Sequence, residues 1–125
     1  MLFNEQTHTV FEYLYRDASN YKAYGTLLLR GRFSEEQQAA LALSCEGAEY
    51  FIAEQVDVPS LCEQLWGHGS GRNEDDHVWH EFIGLREPSA EEQATLEERG
   101  ALDDLLRRFR AVQQWDLSLS PNAWK

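Results

Sequence analysis

The chain has 125 residues, of which 42% are hydrophobic and 12% aromatic, enough for one domain with a real core and too many for a disordered segment. Its 22 acidic and 11 basic side chains give a formal net charge of −11. A field of that sign opposes direct binding to nucleic acid or to anionic membranes, which need a cationic patch, and favours encounter with a basic protein surface.

Thr9–Arg16 alternates as a strand does, with Phe11, Tyr13 and Tyr15 on one side and Val10, Glu12, Leu14 and Arg16 on the other. Tyr21–Arg32 reads as a second strand. Asp17-Ala18-Ser19-Asn20 between them is turn chemistry, because Asp, Ser and Asn bond their own backbone locally. Ser34-Glu35-Glu36-Gln37 is a capping box and predicts a helix to about Glu46, closed by a left-handed Gly47, with Leu41, Cys45 and Ala48 on one face. Glu49–Val56 reads as a third strand, and Pro59-Ser60 opens a short helical turn ending at Gly67.

Gly67–Asp76 is polar and glycine-rich and predicts an exposed, mobile loop at about 67–77. Val78–Leu85 reads as a fourth strand. Pro88-Ser89-Ala90-Glu91-Glu92 signals a helix to about Arg99, interrupted at Gly100. Leu102, Leu105, Leu106, Phe109 and Val112 then follow helical spacing, with Asp103 and Asp104 early and Arg107, Arg108 and Arg110 late, as the helix dipole prefers. The tail Trp115–Leu119 alternates and predicts an edge strand stopped by Pro121.

The order β-β-α-β-β-α-α-β predicts a single α+β domain over 1–125. It implies a mostly antiparallel sheet of four to five strands, with the helices packed on one face. No apolar run approaches the ~20 residues of a membrane span. Met1–His8 lacks the basic and apolar regions of a signal peptide, so the expected location is cytoplasmic. Cys45 and Cys62 make no disulfide framework and read as buried thiols in a reducing compartment.

Three groups of residues could carry function. His68, His77, His80 and Glu81 combine imidazole and carboxylate donors suited to a divalent metal such as zinc. On a strand, however, His77 and His80 point to opposite faces, as do the neighbours His80 and Glu81. Tyr15, Arg16, Tyr21 and Lys22 flank the first turn and offer the aromatics and cations favoured at interfaces. Glu74, Asp75 and Asp76 head an acidic surface fitted to a basic partner.

A cysteine nucleophile is disfavoured by apolar surroundings, and the glycines at 67–71 lack the Lys-Ser/Thr ending of a phosphate loop. The reading that follows is a small acidic, non-enzymatic interaction protein. It would bind, and inhibit or modulate, a larger and partly basic protein, in the manner of an inhibitor, immunity protein, anti-defence protein or nucleic-acid mimic. No cofactor is implied by that reading. The alternatives are a small metal-dependent enzyme or metal-binding domain using the His68/His77/His80/Glu81 set, or a subunit that self-associates through Trp115, Leu117, Leu119 and Trp124.

Overall fold

The computed structural model describes residues 7–16, 21–61 and 79–116. Five strands form one mixed sheet: β1 (His8–Arg16), β2 (Lys22–Arg30), β3 (Tyr50–Ile52), β4 (Trp79–Arg86) and β5 (Glu98–Ala101). Three helices accompany them among the described residues: α1 (Glu35–Ser44), α2 (Ala90–Thr95) and α3 (Leu102–Arg110). The spatial order is β3-β4-β1-β2-β5. β1 pairs antiparallel with both β2 and β4, and β3 with β4, whereas β5 runs parallel to β2.

The alternation read from β1 divides the sheet. Phe11, Tyr13 and Tyr15 are fully buried against Phe51, Leu41, Leu105 and Phe109. Phe11 stacks on Phe82 at 5.3 Å and tilts against Phe109 at 6.0 Å, while Phe51 meets Phe109 edge-on at 5.4 Å. α3 enters this core through Leu102, Leu105, Leu106 and Phe109, the spacing seen in its sequence. α1 contributes Leu41 and is tied to the sheet by Gln38, whose Oε1 accepts from the Leu85 N–H at 2.6 Å. That bond lies beside a bulge in β4, where the pairing with β1 slips between Glu12 and Tyr13.

The opposite face combines buried Val10, Leu14 and Leu28 with charged groups. Arg86 there is held by three carboxylate contacts: Nε to Glu12 at 2.9 Å, and Nη1 and Nη2 to Glu92 at 2.6 and 2.7 Å. Glu92 belongs to α2, so this helix is tethered to the face away from Phe11 and does not join the other two. The expected placement of all helices on one face is thus corrected.

Both expected capping boxes form. Ser34 accepts from the Gln37 N–H while Gln37 accepts from the Ser34 N–H, and Ser89 and Glu92 repeat the exchange. Other boundaries move. α1 stops at Ser44, because Cys45 is already extended. Gly47 and Ala48 are both left-handed, with φ of 62° and 64°, and build a tight turn in which the Glu46 and Tyr50 backbones exchange hydrogen bonds of 2.6 and 2.9 Å. Gly47 therefore serves the turn into β3 and not the helix end, and Ala48 is exposed. β3 is shorter than expected, since Ala53–Val56 coil into a 3₁₀ turn closed by a left-handed Asp57.

The largest correction concerns residues 96–101. α2 ends at Thr95, and Glu98–Ala101 form a strand where the sequence reads as helix. Glu98 pairs with Leu28 in the ladder, and its carboxylate receives Arg30 Nη1 at 2.9 Å and His8 Nε2 at 3.0 Å. These tertiary partners outweigh the helical preference of Glu97-Glu98-Arg99, and Gly100, at φ 101°, supplies a conformation that no helix allows. The fifth strand is consequently parallel and internal to the sequence. Trp115 and Asp116 carry no strand, and 117–125 fall outside the described residues. No helix among the described residues is long and apolar enough to cross a membrane.

Candidate functional site

The residues nominated from sequence separate in space. Tyr15 is fully buried, 5.2 Å from the His80 ring. Arg16 donates through Nε to Glu81 Oε2 at 3.0 Å. Tyr21, 68% exposed, and Lys22 remain on the surface. The rim of the first turn is therefore half architecture: its core-facing aromatic and its first cation have structural partners. Glu74, Asp75 and Asp76 lie outside the described residues, as do His68, His77 and Cys62.

His80 is a core side chain. It is completely buried among Tyr13, Tyr15 and Phe51, and its Nε2 accepts the Leu61 N–H at 3.0 Å. An accepting Nε2 carries no proton, and this lone pair is committed to the backbone. Glu81 lies on the other face with Arg16. The two thus diverge, as adjacent strand residues must, and no group of three His, Cys, Asp or Glu side chains converges among the described residues. Tyr13 donates to the Pro59 carbonyl at 2.7 Å, and burial pushes its hydroxyl pKa up to about 12. Burial likewise pushes the Cys45 thiol up to about 12, leaving it protonated at neutral pH and a poor nucleophile.

A cleft of about 510 Å³ opens where the end of α1, the turn into β3, the start of β4 and the segment after α3 meet. Trp79 and Trp115 form its aromatic wall, with ring centroids 6.4 Å apart and nearly perpendicular at 69°. Trp115 packs edge-on against Phe109 at 6.1 Å, and its indole N–H donates to the Ser44 carbonyl at 3.2 Å. Gln55 holds the same segment from the side: it donates to the Gln114 carbonyl at 2.9 Å and accepts from the Asp116 N–H at 2.8 Å. Tyr50 meets Trp79 edge-on at 6.5 Å. Leu43, 78% exposed, and Glu46 also line the cleft.

This cleft unites a rigid aromatic wall, an exposed aliphatic side chain and a carboxylate. Such a surface can accept the long side chain of a lysine or arginine, with the cation over indole and beside Glu46. The sequence marked Trp115 as a tryptophan in need of cover, and its own domain supplies part of that cover. Trp79 reads from sequence only as a residue of the fourth strand. No local signal links residues 43–46 to 79 and 112–115. Compared with known proteins, the chain matches no protein-family model, no curated protein and no solved structure.

Proposed function

We propose that this chain is a non-enzymatic interaction protein that binds, and inhibits or modulates, a larger protein with a basic surface. The observation that carries the reading is the Trp79/Trp115 cleft with Glu46 in its lining, set in a chain of net charge −11. Long-range attraction steers a basic partner, and the indoles and carboxylate then fix one of its cationic side chains. Glu74, Asp75 and Asp76 extend the acidic surface in this reading, and exposed Tyr21 and Lys22 form a secondary contact. Cys45, a buried thiol, is compatible with the cytoplasmic setting expected for such a partner.

The test is capture of partners on immobilised protein, with identification by mass spectrometry and affinity measured on the purified pair. The reading expects a partner with a basic surface, whose affinity falls steeply between low and high salt and drops by about ten-fold or more with Trp115→Ala or Glu46→Lys. A partner bound equally by wild type and both variants would sink it.

A further inference from the structure

The opposite margin of the sheet carries a second, cationic docking feature. β2 pairs with β1 along its full length, from Lys22 to Arg30. Its other edge meets β5 only at Leu28 and Arg30. From Lys22 to Leu27 no strand among the described residues occupies that edge. A groove of about 340 Å³ runs along it, between exposed Tyr24 and Thr26 and the Leu96-Glu97 segment before β5. Gly25 lies in the groove wall. On the core side, the space its Cβ would take is filled by the Tyr13 ring and Leu61, each 2.9 Å away. An open edge of this kind is a template for an added strand.

The groove continues past Leu27, Pro59 and Arg99 into a polar cleft of about 280 Å³ that Arg108 also lines. Arg108 is oriented by its Nε bond to the Val56 carbonyl at 2.7 Å, which leaves the terminal nitrogens of its fork available. Asp57 and Glu97 border the same space, yet no carboxylate among the described residues pairs with Arg99 or Arg108. The other arginines on the strands, Arg16, Arg30 and Arg86, all have such partners. Among the described residues, then, two guanidiniums at one place in an acidic chain lack a carboxylate partner, and their chemistry suits one that comes from outside.

Topology sets where that ligand must end, and the two guanidiniums set which of its ends lies there. A strand added beside Lys22–Leu27 shares its row with β5, which already fills the row from Leu28 onward. The added strand must therefore stop at the arginine end. We propose that the β2 edge binds an extended peptide of a partner protein, parallel to β2, and that Arg99 and Arg108 take its C-terminal carboxylate. Main-chain hydrogen bonds to the edge supply affinity, and the guanidiniums select a chain terminus over an internal segment. This site is separate from the Trp79/Trp115 cleft and does not depend on it.

The probe is a hexapeptide library anchored by its N-termini, made once with free C-terminal carboxylates and once as C-terminal amides. Wild-type protein is expected on a subset of the free acids, with about ten-fold weaker retention on the matching amides. Arg99→Gln should erase that preference. Arg99 is exposed and makes no ion pair among the described residues, so this variant leaves the fold intact. N-methylation of alternate amides in a retained peptide should abolish binding, and backbone amide shifts should gather on residues 22–27. Equal retention of acids and amides, indifference to N-methylation, shifts centred on Trp79 and Trp115, or no retained peptide would each overturn the proposal.

Discussion

The two faces of the sheet are stabilised by different physics. On one, Phe11, Phe51 and Phe109 interlock with Tyr13, Tyr15 and His80, and every one of these side chains is at most 1% exposed. On the other, charge is prominent: Arg86 is clasped by Glu12 and Glu92, and Arg16 pairs with Glu81 in partial contact with solvent. Apolar burial cannot be exchanged for water without loss, whereas partly exposed ion pairs regain much of their energy by hydration. The aromatic face should therefore set global stability, and the charged face should set its dependence on pH and salt.

Phe109→Ala breaks the aromatic face most directly, because the ring touches Phe11, Phe51 and Trp115 together. We expect a loss of about 3–5 kcal/mol in urea unfolding, together with loosening of the Trp115 wall, visible in tryptophan fluorescence. A loss below 1 kcal/mol would mean that the core is not organised around this ring. Gly25→Ala tests the tightness of the same face. Its Cβ would lie 2.9 Å from the Tyr13 ring, which the Pro59 carbonyl holds through the Tyr13 hydroxyl, so the ring has little freedom to yield. The expected cost is about 1–3 kcal/mol, read as a fall in Tm.

The charged face gives smaller and condition-dependent effects. The Arg86 hydrogen bonds, and then the Ser89 backbone N–H, hold the Glu92 carboxyl down at about 2 from its ordinary 4.5. A carboxylate with a depressed folded pKa stabilises fully above its unfolded value and loses that contribution as pH falls through the folded one. Glu92→Gln should thus cost about 1–2 kcal/mol at pH 7. The gap from wild type should close between about pH 4.5 and pH 2. A gap that stays constant over that range would show that the carboxylate charge is not what stabilises the helix, since Gln keeps the cap as Gln37 does in α1. Arg16→Ala should have the smallest effect, about 0.5–1 kcal/mol and less at high salt, since its side chain is 40% exposed.

The legible parts of this fold were those with local causes. Ser34 and Ser89 announced their helices because a capping box is written within four consecutive residues and its two bonds need no distant partner. The β1 alternation announced which side chains share a face, but not that Tyr15 is core or that Val10 and Leu14 on the other face are buried as well. By contrast, Glu98 and Arg99 read as helix and form a strand. The deciding partners, Leu28, Arg30 and His8, are remote in sequence. His80 looked like a ligand because imidazole is chemically versatile. Only its neighbours, three aromatic rings and the Leu61 N–H, reveal a core residue.

The candidate sites follow the same division. Composition alone determined the acidic field and the shortage of cations, and local pattern determined the first hairpin, the helix starts and the amphipathic last helix. The gathering of Trp79, Trp115 and Glu46 into one cleft, and of Arg99 and Arg108 at the end of an open strand edge, was decided by tertiary structure. Each joins segments separated by loops and turns, and their meeting depends on strand order and on the parallel entry of β5. No short-range rule encodes either.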